Sequence, residues 1–359
     1  MAGEEVHEPE PSGTEYAPKE REVLSFLATS KRVDLRWLNE ERKAKLRTVL
    51  DGLHNGKKIS LLQISKDVRR SYFSIWGLCR SLGIRTRGVA EAQANSSDAR
   101  SKHKRRPFDG TEEDRAYMTG FKNGDLTAWQ VSGTAVMVTS STTHRAFADL
   151  FHQLFQGYAH VYQYPMFEEG KGYKWKLAAR LDNSFRFLLK SAQEAAVEFG
   201  EKRTLYLSWL AGLIDSDGNI HVSQDKGRAR VRVTIYNSNK QLLYDIIKES
   251  LKIGYTLNGP YLLAEVGMVT PRGIRYTKDH WQIAIQQSGA TQRLLSELPL
   301  RHAEKVERKR LALKVGDDGW DEINAVLQEL KTRIKADVKT FCDEAEESYK
   351  QRRRSAAGK

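Results

Sequence analysis

Residues 204–218 read TLYLSWLAGLIDSDG, an apolar helical run with small residues at Ala211 and Gly212 and a carboxylate, Asp217, near its end. A degenerate second copy lies upstream, DRAYMTGFKNGDL at 114–126. Setting Gly212 on Gly120 puts Leu213 on Phe121, Ala211 on Thr119 and Asp217 on Asp125, an offset of 92 residues. Each opening is followed by a β-like stretch, then a polar turn with a helix (SSTTHRAFADLFHQLF, 140–155; NSNKQLLYDIIKESL, 237–251), then a strand centred on Trp175 or Trp281. The repeat reads as one duplicated unit. Two helices with Gly and Ala or Thr at their middle can meet almost backbone to backbone, which brings Asp125 and Asp217 together. Crowded carboxylates resist double ionisation unless cations lie between them. Mg²⁺ suits such a place because it takes oxygen ligands and bridges to phosphate. A helix pair ending in two acidic C-caps, with no metal, is the plainer reading.

LAGLIDSDG at 210–218 resembles the signature of the LAGLIDADG homing endonucleases at eight of nine positions. The first copy, MTGFKNGDL at 118–126, keeps Asp125 but has Asn123 and Leu126 where the motif has its first Asp and last Gly. The resemblance spans about residues 112–315. It implies an α+β fold of two pseudo-symmetric αββαββα halves with saddle-shaped antiparallel sheets. It also implies a metal site of Asp125 and Asp217 with Gly124 and Ser216 beside them, served by Mg²⁺ or Mn²⁺. A late Lys of the family falls best on Lys305, with Arg301 and Lys309 close by and a solvated helix face as the alternative. Lys190 is the nearest counterpart in the first copy. Asn237 and Ser141 stand where the family often orders solvent, and N-capping explains them equally well.

The strands point the same way. In RARVRVTI, Arg228, Arg230, Arg232 and Thr234 share one face and Ala229, Val231, Val233 and Ile235 the other. In YKWKLAARL, Lys174, Lys176 and Arg180 alternate with apolar residues, and TKDHWQIAIQ sets Lys278, His280, Gln282 and Gln286 opposite Trp281, Ile283 and Ile285. No acid falls among these polar positions, so they read as a face for DNA. Arg and Gln there can fork onto guanine and adenine edges.

Outward from this core, residues 1–20 read as an acidic disordered tail. Residues 21–84 form a helical block, with short helices predicted from Ser60 to Val68 and from Ser71 to Leu82. That pair fits a helix-turn-helix, or a small bundle that reads nothing. A basic linker is expected at 85–107, with seven basic residues against two acids. The halves are bounded at 108–200 and 201–316, and 317–359 is a charged helix with a basic tail.

The chain has 359 residues and a net charge of +13, which makes nucleic acid the leading partner. No apolar run approaches a membrane span of ~18–20 residues. With no secretory or import signal in view, a cytoplasmic, nucleoid-associated protein is expected. Cys79 and Cys342 alone make neither a disulfide scaffold nor a zinc site, and the nine His lack HxxxH spacing. No P-loop is present, and a start of MAGEE with an end of AAGK disfavours a splicing intein. The expectation is a monomeric, site-specific double-strand DNA endonuclease. The alternative is a cleavage-deficient transcription regulator or an intron maturase, the latter with RNA as partner.

Overall fold

A computed structural model describes residues 15–30, 33–88, 102–269, 273, 275–316 and 319–357. The chain divides into two compact units, 1–101 and 102–359.

The first unit holds α1 (Pro18–Thr29), α2 (Glu40–Asp51), α3 (Leu61–Asp67) and α4 (Tyr72–Ser81) around buried Leu27, Leu50, Ile64 and Ile75. Helix α1 begins inside the expected tail. Pro18 suits the first helical turn, and the Glu20 carboxylate accepts the Ala17 N–H at 2.7 Å. The tail's residues 1–14 lie outside the described residues. The Ser60 and Ser71 hydroxyls accept from the Gln63 and Ser74 N–H groups, so α3 and α4 start where the capping pattern placed them. Between them Arg69 takes a left-handed φ of 50°. Phe73, on the first turn of α4, is 77% exposed, an apolar surface that no core explains.

The second unit is α+β and duplicated. Its first half runs α5 (Glu112–Asp125), β1 (Thr127–Ser132), β2 (Ala135–Thr142), α6 (Arg145–Phe155), β3 (Val161–Glu168), β4 (Gly172–Asp182), a 3₁₀ turn and α7 (Ala192–Gly200). Its second half runs α8 (Arg203–Asp217), β5 (Gly218–Asp225), β6 (Arg228–Asn237), α9 (Lys240–Lys252), β7 (Asn258–Ala264), β8 (His280–Ile285), α10 (Ser288–Glu297) and α11 (Ala303–Leu313). The two antiparallel sheets have the same order, β1-β2-β4-β3 and β5-β6-β8-β7. Strand alternation decides which face is dry. Val136 and Val138, Leu177 and Ala179, Val231 and Val233, and Ile283 and Ile285 are buried against the helices in one shared core.

Helices α5 and α8 sit at the centre of this core. A Cβ on Gly120 would lie 1.9 Å from the Trp209 carbonyl oxygen, and one on Gly212 would lie 2.1 Å from that of Tyr117. Only glycine lets the two backbones come so close.

The last helix, α12 (Trp320–Ala357), extends into the expected basic tail and lies along β3 and β4. There the Trp175 indole N–H donates to the Phe341 carbonyl at 2.9 Å. No helix among the described residues is long and apolar enough to cross a membrane.

The expected linker is anchored at both ends. The Arg87 guanidinium donates to the Ile59 carbonyl at 2.6 Å, and the Arg106 N–H to the Tyr158 carbonyl at 2.8 Å. Residues 89–101 lie outside the described residues. A fragment starting at Lys102 is therefore expected to fold with a full thermal transition by circular dichroism. One starting at Phe108 loses the Arg106 bond and the Arg105 bond to Leu181, and melts lower by a few degrees. Equal melting of the two would show that residues 102–107 contribute nothing to the core.

Candidate active site and nucleic-acid interface

The paired glycines bring the last turns of α5 and α8 side by side, and Asp125 and Asp217 end them. A Cβ on Gly124 would strike the Ser216 Oγ at 2.0 Å and come within 3.1 Å of the Asp217 Cβ. Gly124 is thus what lets the Asp217 side chain stand next to this turn. Asp125 reaches solvent, yet protein surrounds its carboxyl on most sides. Burial first, and then the neighbouring Asp217 charge, push Asp125 up to about 6. Burial raises Asp217 as well, against the pull of Lys305. Among the described residues, neither carboxylate has a hydrogen-bond or salt-bridge partner.

Lys305, on the first turn of α11, donates from Nζ to the carbonyls of Ile214 at 2.5 Å, Asp215 at 2.9 Å and Ser216 at 3.3 Å. It caps the C-terminus of α8, where the helix dipole favours a cation. Burial brings it down to about 8, while Asp215, Asp125 and Asp217 hold its charge in place. The other basic residues of this region are engaged elsewhere. Arg301 pairs with Asp114 at 2.7 Å and covers the Tyr117 ring, and Lys309 donates to the Leu298 carbonyl at 2.8 Å. Lys190 turns to Glu198.

Lys305 is held there by Asp215, whose role the sequence did not disclose. One Asp215 oxygen accepts from the Tyr117 hydroxyl at 2.6 Å and from the N–H groups of Arg301 and His302 at 2.6 and 3.1 Å. The buried carboxylate therefore joins α5 to the start of α11. In the first half the same position is Asn123, whose Nδ2 is buried with no partner among the described residues. Ser216 contributes no free hydroxyl, because its Oγ donates back to the Leu213 carbonyl at 3.0 Å. Asn237 lies two residues past Ile235, which faces Gly218 at the end of α8, and its Oδ1 accepts the Asn239 N–H at 2.8 Å. Ser141 donates to the Met166 sulfur at 3.6 Å, whereas Ser140, unmarked in the sequence, holds the Asp125 carbonyl at 2.9 Å.

These donors fit a hard divalent cation. Mg²⁺ is commonly held by one or two carboxylates with phosphate and water completing its shell, and needs no cage of three protein ligands. No group of three or more His, Cys, Asp or Glu side chains arranged for a metal exists among the described residues, and Asp125 and Asp217 are the carboxylates that face one another here.

The outward faces of the sheets carry the expected basic residues. Arg228, Arg230 and Arg232 stand opposite Asp225, Ser223 and His221 of β5, and Lys174, Lys176 and Arg180 opposite Met166, Tyr164 and Met137. Two points differ from the sequence reading. Lys278 lies in the turn before β8, not on the strand beside Gln282. Acids also reach these faces from neighbouring strands: Glu168 pairs with Lys174, and Asp225 with Arg230 at 2.6 Å. Cross-strand register brings them in, and reading one strand at a time misses it. Exposed Tyr162, Tyr164 and Trp129 share the first face.

Fold and site together define a duplicated α+β core whose halves meet at a helix pair, one carboxylate from each. Residues 204–256 match the family model of the LAGLIDADG-like domain. The chain is similar to solved structures of a mesophilic variant of the homing endonuclease I-DmoI (13% identity, 52% of this chain and 95% of that one, TM-score 0.34). It is similar also to full-length DUF199/WhiA from Thermatoga maritima (16%, 64% and 69%, 0.35) and to I-SmaMI bound to an uncleaved DNA target with calcium ions (10%, 63% and 97%, 0.34). No curated protein matches the chain.

Proposed function

We propose that this protein is a divalent-metal-dependent endonuclease that cuts double-stranded DNA at a long, asymmetric site. The observation that carries the reading is the Asp125–Asp217 pair at adjoining helix ends, with Lys305 fixed beside it. Asp125 and Asp217 would hold Mg²⁺ or Mn²⁺. Such ions, when bound, supply an activated water and stabilise the leaving oxygen of a phosphodiester. The chain's own residues do the rest. The charge of a bound divalent ion would offset the mutual repulsion of the two carboxylates. Lys305, anchored by three carbonyls, adds a fixed positive charge where negative charge develops on the phosphate. The basic sheet faces hold the duplex across this centre, and unequal halves read unequal half-sites. The short α3–α4 pair, with exposed Phe73 and Tyr72, adds a further DNA contact of helix-turn-helix type.

The test is cutting of a randomised duplex library in Mg²⁺, with the new ends sequenced. A single long non-palindromic motif at the ends is expected. Binding without cutting in both Mg²⁺ and Mn²⁺ would instead support the cleavage-deficient regulator. Asn123, which leaves the first half without the carboxylate anchor of Asp215, is the observation that favours this second reading. Preference for structured RNA over duplex DNA would point to the maturase.

Side-chain loss on one sheet should be felt on one half-site. Arg228→Ala, Arg230→Ala and Arg232→Ala are each expected to cost ~1–3 kcal/mol where the contact reads a base. Arg230, already paired to Asp225, should lie at the low end of that range. Footprints weakened evenly over both halves would show that these residues do not read bases.

A further inference from the structure

A second cationic site lies away from the carboxylates, at the outer edge of the first sheet. The segment entering the core, the end of α6 and the start of β3 border an open hollow of about 580 Å³, lined in part by Lys102, His103, Lys104, Arg106, His152 and His160. None of its lining residues is acidic. Arg106 pairs with Asp109 at 3.1 Å on an exposed rim. The His103 and His160 rings stack at 3.9 Å with their planes within 10°. His152 is turned toward the amides of Gln156 and Gln163, and the Tyr158 ring packs inward on Phe108 and Phe185.

Core packing does not call for this assembly. His160 is exposed, and its ring lies against His103 with His152 and Lys102 near by, neighbours that disfavour its charged form. Burial, and then His103, His152 and Lys102, hold the His160 ring below the ordinary histidine range. An anion seated in the hollow beside His160 would favour the charged form of that ring. The cluster does not suit a metal, since these histidines form no ligand group among the described residues.

Register connects the hollow to the basic face. Tyr162 meets the His160 ring edge-on at 4.5 Å and stands opposite Ala178, between Lys176 and Arg180 on the outward side of β4. β3 is the outer strand of this sheet, so the cluster continues the basic face past its edge. We propose that this hollow grips a backbone phosphate of duplex DNA beyond the first half-site, with His160, stacked on His103, as the pH-sensitive part of the grip. The proposal rests on the reading that DNA lies on the sheet faces. A phosphate contact carries no base information, so it adds affinity on any sequence.

The experiment compares the wild-type chain with the His103→Gln/His160→Gln double variant and with His160→Gln alone, which changes only an exposed ring. Affinity for a non-specific duplex is measured between pH 8 and pH 6 at fixed salt, without divalent ions. An anion that raises one imidazole by about one unit tightens binding about three- to tenfold on acidification. That gain is expected in the wild type beyond whatever the double variant keeps. The difference between the two slopes cancels titration elsewhere, at Asp125 included. Equal slopes would overturn the proposal while leaving DNA binding intact. No duplex binding by the wild type at any pH would instead reject the reading beneath it. Inorganic phosphate is titrated in parallel, following the histidine ring signals by NMR. Phosphate-dependent shifts together with equal duplex slopes would make the hollow a free-phosphate site and overturn the DNA assignment.

Discussion

Asp125→Asn and Asp217→Asn are each expected to lower double-strand cleavage by about a thousandfold or more, with duplex affinity retained within a few-fold. The carboxylates end two helices whose packing does not depend on their charge, and no hydrogen bond holds either one among the described residues. Asparagine fills the same volume, so the fold should persist. Folding stability should even rise slightly, because burial and mutual repulsion already penalise the charged pair. What is lost is the charge that would hold divalent ions. Cleavage, affinity and melting temperature measured on one preparation decide the matter. Activity surviving both substitutions, or surviving excess EDTA, would remove the carboxylates from the chemistry. A variant that neither cuts nor binds would show that the pair organises the DNA surface instead.

Gly120→Ala and Gly212→Ala should be the most damaging single-methyl changes in the core. Each new Cβ would lie about 2 Å from a facing main-chain carbonyl, and backbone yields far less readily than a side chain. We expect a loss of about 3 kcal/mol, at the upper end for overpacking, which lowers Tm by roughly 6–12 °C. Gly77→Ala is the contrast. Gly77 sits inside α4 with open space around it, so alanine should add ~0.5–1 kcal/mol through helix propensity. Calorimetry of the three variants tests the argument, and equal effects at positions 77, 120 and 212 would refute it.

Much of this architecture was legible in the chain because its signals are local. Each copy of the helical motif, the Ser60 and Ser71 caps and the period-two alternation of β6 lie within one short segment. The α5–α8 contact was readable because small residues at a helix centre have few other uses. What stayed hidden depends on partners far along the chain. Tyr117 and Asp215 are 98 residues apart, and neither motif copy indicates that they bond. Glu168 and Asp225 reach the basic faces only through register, and the imidazole cluster joins three separate segments. Lys305 fell between these cases. Its position relative to Leu311 singled it out, but only the fold showed it against three carbonyls while Arg301 and Lys309 were engaged elsewhere.

Helix α12 also bears on the order in which the protein is made. α12 packs along β3 and β4, and the Trp175 N–H finds its acceptor in Phe341, 166 residues later. During synthesis the first half emerges complete in sequence but uncovered along this flank, and it stays so until the chain through Phe341 has left the ribosome. At ~5–20 residues per second that interval is on the order of ten to thirty seconds. Through it, the flank around Tyr173 and Trp175 lacks its Tyr349 and Phe341 partners, and a chaperone that shields it would act on a site the finished protein no longer presents.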